Sequence, residues 1–428
     1  MGGDLIAQAV RLVAQLSVIL VAAKIGAEVC ERYLKQPAVL GELVAGVLLS
    51  PFLFGGYIPF FEGGPLFPRP AAAVGIPISA PLFAVAQVAA IILLFLAGLE
   101  TDLKQFLRYA LAATVVAMGG VIVPFFLGAY LTVLFGVANH FYDPNALFMG
   151  SILTATSVGI TARVLGDIGK LDTPEGVTIL GAAVVDDVLG IMILSIVIAI
   201  GVAEMHGTPV NFKEISFLGL KAIGFWVGLM AVGILGAPVF EKLLHWFKTR
   251  GAMVPVALAL CFIASFLAEW AGLAMIIGAY AIGLSLSARP VAKELIESIE
   301  PVFHFLVPVF FVVTGMMVNI NAIGGMPAFA VAITIAAIAS KWLGCTTAAL
   351  GMGFNFTGAN RIGIGMIPRG EVALIVAQVG IAKGIIDQGI YGVAILMAFV
   401  TTLFAPIGLA PVFKTGGTGI CTSKKEEG

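Results

Sequence analysis

The stretch "GAAVVDDVLGIMILSIV", residues 181–197, sets Asp186 and Asp187 side by side in an oily run. From Gly176 to Val202 no other residue is charged. A charge at the middle of a bilayer costs about 2.5–3.5 kcal/mol on insertion scales, so it persists only against a partner or water. Two acids at that depth point to a path for ions or protons rather than to packing.

The rest of the chain has the same character. Its 428 residues are 60% hydrophobic and 11% charged, with mean hydropathy +1.09. A soluble domain carries roughly a quarter charged residues. Uncharged runs long enough to cross about 30 Å of hydrocarbon recur from end to end. An open sheet leaves backbone groups unsatisfied in lipid. The predicted fold class is therefore an all-α polytopic membrane protein. Hydropathy marks about thirteen spans, at 5–33, 38–56, 80–100, 107–136, 145–168, 174–203, 215–245, 253–270, 272–287, 301–319, 325–350, 360–384 and 388–413. No basic stretch points to nucleic acid. Cys30, Cys261, Cys345 and Cys421 form no CxxC pair and read as core fillers or a loose tail thiol. The first helix lacks the marks of a cleaved signal and is expected to be retained. The polar tail, 414–428, is expected to be disordered.

Basic residues fall unevenly between the loops. Those after odd-numbered spans, with the C-terminus, hold Arg32, Lys35, Lys104, Arg108, Lys170, Lys242, Lys248, Arg250, Arg289, Lys293, Arg361, Lys414, Lys424 and Lys425. Those after even-numbered spans hold only Arg69, Lys213 and Lys383. By the positive-inside rule the N-terminus lies outside and the C-terminus in the cytoplasm.

Asp186 comes about 15 Å along its helix, close to the midplane. Neighbouring helix positions point about 100° apart, so one acid can face a fixed cation while the other faces a water-filled cavity. Lys341 is the one lysine between Ile320 and Gly353, and is the natural counter-charge. Span 5 crowds Thr154, Thr156, Ser157 and Thr161 around Gly159, and span 12 contains Gly363, Gly365, Pro368 and Gly370. Both read as interrupted helices, whose unwound backbone is tolerated where it lines a cavity. Arg369 and Glu371 stand where half-helix ends need opposite charge. The two breaks lie seven spans apart. An odd offset reverses topology, as an inverted repeat of spans 1–6 on spans 8–13 requires.

The motifs "TATSVGITARVL" (154–165), "GAAVVDDVLGI" (181–191), "FFVVTGMMV" (310–318), "SKWLGC" (340–345) and "PRGEVALI" (368–375) together resemble the cation:proton antiporter-2 family, within it the NapA-type sodium/proton antiporters. The resemblance implies a homodimer in which two broken helices cross within each core domain. It implies that Asp187 binds cation and proton in turn, and that Asp186 pairs with Lys341. Thr156 and Ser157 would be polar groups near the ion, and Arg369 and Glu371 would neutralise half-helix ends. An aspartate pair at this place implies electrogenic exchange of two protons for one sodium. Potassium-efflux relatives carry a nucleotide-binding domain, and no GxGxxG follows a strand here, which favours a simple, pH-responsive exchanger.

The expected mechanism is alternating access in the cell membrane, with Na+ or K+ and protons as cargo and no cofactor. Spans 4–6 (107–203) and 11–13 (325–413) form the moving core. Spans 1–3 (1–100) and 8–10 (251–319) form the dimerisation scaffold, joined through 204–250. The alternatives are K+/H+ exchange or a sodium-coupled symporter. An intramembrane aspartyl protease needs two acids converging on one water from different helices, and a passive channel gains little from a buried lysine. His304 is placed at the start of span 10, near Glu297 and Glu300; an interfacial role is the simpler reading and a pH sensor the alternative.

Overall fold

A computed structural model describes residues 2–60, 63–69, 77–206, 212–247, 249, 251–317, 326–414, 416–417 and 419–421. At some helical positions, Glu371 among them, it describes the backbone alone. Among the described residues fifteen α-helices follow one another: α1 Gly2–Val29, α2 Ala38–Leu48, α3 Ala80–Glu100, α4 Leu103–Leu134, α5 Pro144–Thr154, α6 Val158–Asp167, α7 Pro174–His206, α8 Phe212–Trp246, α9 Met253–Trp270, α10 Met275–Ser287, α11 Val291–Met316, α12 Pro327–Gly351, α13 Phe356–Gly365, α14 Glu371–Ala382 and α15 Gln388–Lys414. Among the described residues the β-structure is two isolated bridges.

Each expected span holds a helix or a pair of helices. Among the described residues ten helical stretches are long and apolar enough to cross a membrane, with α5 and α6 counted as one, and shorter apolar helices occupy three further places. Several boundaries differ from the hydropathy reading. α2 stops at Leu48 rather than running to 56, because Pro51 brings no N–H and disfavours helical backbone before it. α11 begins at Val291 rather than at 301. Its first turns bury Val291, Ala292, Leu295 and Ile299 and turn Lys293, Glu294 and Glu297 outward, so the helix runs on past the apolar segment. His304 therefore stands inside α11 and not at its start. α13 begins at Phe356 rather than 360, because the Asn355 side chain accepts the Gly358 N–H and caps it.

The expected disordered tail is also corrected in part. Its beginning is tied down: Asn355 N–H donates to the Gly419 carbonyl, Cys421 N–H donates to the Gly353 carbonyl, and Arg361 reaches the carbonyls of Gly416 and Gly417. Residues 422–428 lie outside the described residues.

The packing pattern repeats. α3 packs on α10 and α11, α2 on α1 and α11, and α9 on α10. α4 packs on α5, α7 and α12, and α12 on α13 and α15. Relating each span to the one seven later turns the α3–α10 contact into the α11–α2 contact, α1–α2 into α9–α10, and α4–α5 into α12–α13. The α4–α12 contact maps onto itself. Glycines mark the equivalent contacts. A methyl placed on Gly98 would lie 3.0 Å from the Gly283 Cα, and one on Gly46 would lie 2.9 Å from the Gly315 Cα. Gly119 and Gly344 each meet the other's carbonyl in the same way. Letter-by-letter similarity between the halves is faint, but their helix contacts repeat at the offset of seven spans.

Candidate functional site

The site lies where the two interrupted helices meet. α5 ends at Thr154, and Ala155 (φ −55°, ψ 141°) and Ser157 (φ −88°, ψ 109°) are extended before α6 begins at Val158. The run "TATS" sits at this break, and its hydroxyls compete with the helix ladder, as in the 2.8 Å bond from Thr154 Oγ1 to the Ser151 carbonyl. Gly159, which the sequence placed at the break, is inside α6. α13 ends at Gly365, and the chain is non-helical until Glu371. Pro368 accounts for this break, since it lacks an N–H and its ring disfavours helical backbone at Ile367.

The two breaks are bonded to each other. Ser157 N–H donates to the Pro368 carbonyl at 2.8 Å. Thr161 Oγ1 donates to the Gly365 carbonyl at 2.8 Å, and Thr156 Oγ1 to the Met366 carbonyl at 3.4 Å. Gly370 permits this approach, because a methyl there would lie 2.6 Å from Ser157 Oγ. Arg369, fully buried, donates from Nη2 to the Leu153 carbonyl at 2.8 Å and from Nη1 to the Ile367 carbonyl. It thus places positive charge on the negative end of α5. Thr402 of α15 donates to the Arg369 carbonyl. Glu371 opens α14, and its side chain lies outside the described residues.

Lys341 of α12 is fully buried, and its ammonium donates to Asp186 Oδ1 at 3.0 Å, to the Thr154 carbonyl at 2.7 Å and to the Gly120 carbonyl at 2.8 Å. One side chain therefore joins α12, α7, α4 and the end of α5. The Thr156 hydroxyl also faces Asp186. Asp187, 3% exposed, belongs to the wall of a cavity of about 350 Å³ shared with Phe83, Gln87, Glu269, Phe310 and Val372. The structure thus brings Asp186, Lys341, Thr156, Ser157 and Arg369 together at the crossing, with Asp187 one position further on, at the cavity.

Two polar residues of that cavity, Gln87 and Glu269, carried no signal in the sequence, since a lone glutamine and a glutamate at a helix end are ordinary. Glu42 and Arg163 were missed although they carried the same signal as the aspartates, a charge inside an apolar stretch. Glu42 on α2 is 1% exposed, and Arg163 on α6 is 6% exposed. Among the described residues no three His, Cys, Asp or Glu side chains could jointly hold a metal ion.

Comparison with known proteins gives one answer. The transmembrane sodium/hydrogen exchanger family matches residues 17–415. The chain is 39% identical to the high-affinity Na(+)/H(+) antiporter NhaS3 of Synechocystis, covering 96% of this chain and 90% of that protein. It is 33% identical to the Na(+)/H(+)-K(+) antiporter GerN of Bacillus cereus, covering 96% and 98%. The fold resembles the sodium proton antiporter MjNhaP1 of Methanocaldococcus jannaschii, with TM-score 0.69 and 18% identity over 94% of this chain and 96% of the other. With its reach across nearly the whole chain, this match makes the protein a member of the sodium/hydrogen exchanger family of membrane transporters.

Proposed function

We propose that the protein exchanges sodium for protons across the cell membrane by alternating access, and is not an enzyme. One observation carries the reading: Asp187 lines a cavity while its neighbour Asp186 is spent on Lys341 at the crossing of two broken helices. A carboxylate at a cavity wall can trade a proton for a cation. A carboxylate held by an ammonium keeps the local charge compensated when that trade occurs. Thr156 and Ser157 supply oxygen near the ion, and Arg369 and Glu371 offset half-helix ends.

The moving core is α4–α7 with α12–α15, and the scaffold is α1–α3 with α9–α11, bridged by α8. Dense packing within each group supports this division. The Asp187 cavity is lined by Phe83 and Gln87 near the start of α3, and by Glu269 at the end of α9. A second cavity, of about 220 Å³, opens at the other end of α3, by Glu100. The distribution of basic residues puts the first end outside, with the N-terminus, and the second in the cytoplasm, with the C-terminus. The access state is then outward-facing. The protein works as a homodimer and moves two protons for each sodium.

Potassium is the second reading, favoured by the name of the GerN relative. Reconstitution in liposomes with a pH-sensitive dye and an imposed proton gradient tests both. Sodium should release the gradient in a voltage-dependent way, and an equal response to potassium moves the protein to the second reading. No response to sodium, potassium or lithium overturns the proposal.

A further inference from the structure

Glu42 is a carboxyl group in an apolar helix, 1% exposed, and neither of its side-chain oxygens has a hydrogen-bond partner among the described residues. Its opposite charge is Arg163, whose Nη2 lies 4.0 Å from Glu42 Oε1. Arg163 is committed elsewhere: its Nε lies 3.0 Å from Asp167 Oδ1, and its guanidinium stacks over the Phe303 ring at 4.9 Å. The other charges that face Glu42 are Asp167, Lys24 on α1 and Glu31 in the π-helical segment Cys30–Leu34 that continues α1. Packed on the same helix, α11 brings Glu300 and His304 only to the neighbouring cavity, and α15 brings no charge to this place.

The charges do not balance. One guanidinium stands between two acids, and Lys24 is offset by Glu31. A buried carboxylate without a hydrogen bond is the costliest arrangement available, and a proton on it removes the charge.

We propose that Glu42 is a second proton-binding carboxyl group, separate from the aspartate pair, which holds its proton while Arg163 is engaged by Asp167. Arg163 and Asp167 line the cavity of about 220 Å³ beside Glu100, Glu300 and His304, so one side chain separates Glu42 from it. What the proton does rests on the antiport reading above. Glu42 belongs to the scaffold helix α2 and Arg163 to the core helix α6, so a movement of the core changes their separation. A closer guanidinium favours the ionised acid, and Glu42 releases its proton as Arg163 approaches. Its occupancy then follows the access state.

Infrared difference spectroscopy on the full-length protein tests this against Glu42→Gln, whose amide matches the neutral acid in shape. The wild type should give a protonated carboxylic-acid carbonyl band at neutral pH that is lost in the variant. The variant should melt at the wild-type temperature, and the pH profile of its sodium-dependent proton movement should shift. A spectrum with no band lost overturns the proposal. So does a variant that melts far lower or fails to fold, which would mark Glu42 as an ionised partner of Arg163. A lost band with an unchanged pH profile overturns the link to the access state. Absence of any cation-driven proton movement by the wild type would sink the antiport reading instead, and leaves the band to be read on its own.

Discussion

The Lys341 ammonium lies 3.0 Å from Asp186 Oδ1 and gives its two other protons to the backbone carbonyls of Thr154 and Gly120, at 2.7 and 2.8 Å. An ammonium has three protons, and all three are used. Lys341→Ala leaves a buried carboxylate without its cation and frees two carbonyls. Removing one partner of a buried pair costs roughly 3–5 kcal/mol. The melting temperature should fall sharply, and adding Asp186→Asn should restore part of it. A double variant that melts lower than Lys341→Ala would contradict the pair.

Asp187 is expected to behave oppositely. Asp187→Asn should abolish sodium-dependent proton movement in liposomes, with a melting temperature near that of the wild type, since the side chain belongs to a cavity wall. On the proposed mechanism proton and sodium compete for this carboxylate. Lowering the pH should therefore raise the apparent KM for sodium in the wild type without lowering the maximal rate at saturating sodium.

Two threonines at the crossing separate binding from structure. Thr156 faces Asp186, and its bond to the Met366 carbonyl is long, at 3.4 Å. Thr156→Val should raise the KM for sodium. Thr161 makes a 2.8 Å bond between the two broken helices. Thr161→Val should lower stability by about 1 kcal/mol and leave the KM unchanged. Transport kinetics and thermal unfolding of the two variants check the contrast.

Arg361 fixes the start of the tail. Its guanidinium lies 2.7 Å from Glu175 Oε1 and donates to the carbonyls of Val412, Gly416 and Gly417 at 3.1, 2.8 and 3.2 Å. Arg361→Ala should destabilise the protein by roughly 3–5 kcal/mol, because Glu175 is left buried and charged. Truncation after Lys414 removes the Gly416 and Gly417 carbonyls and the tail's backbone bonds to Asn355 and Gly353, but leaves the Arg361–Glu175 pair intact, and should cost less. Thermal unfolding of the two variants checks the order.

Much of this was legible in the sequence, for one physical reason: charge inside an apolar run is conspicuous. That singled out Asp186, Asp187, Lys341 and Arg369. The same rule applied to Glu42 and Arg163, which stand in shorter or more mixed stretches and were passed over. The first interrupted helix is marked in the sequence by hydroxyls crowded around Gly159; the run 155–157 is what unwinds, and Gly159 lies inside α6. Helix ends were misjudged where a helix outlasts its apolar segment, as at Val291, because hydropathy reads the solvent and not the backbone. A cavity beside one of the aspartates is an expectation of the sequence, but its lining is not legible there, since side chains such as Phe83, Phe310 and Val372 are ordinary core residues until the fold leaves space between them.

The glycine contacts have a mechanical consequence. Gly98 against Gly283, Gly46 against Gly315 and Gly119 against Gly344 bring backbone onto backbone, each inside one of the two helix groups. Between the groups the contact differs in kind. A methyl placed on Gly159 of α6 would meet the side chains of Phe310, Leu93 and Leu94 at 3.4, 3.5 and 3.7 Å, ordinary van der Waals distances. Backbone meshed with backbone resists sliding as gear teeth do. Hydrocarbon tips can turn about their bonds and re-seat against a passing helix, so under the proposed movement of the core the surface between the two groups would be lubricated by leucine and phenylalanine while each group stayed rigid.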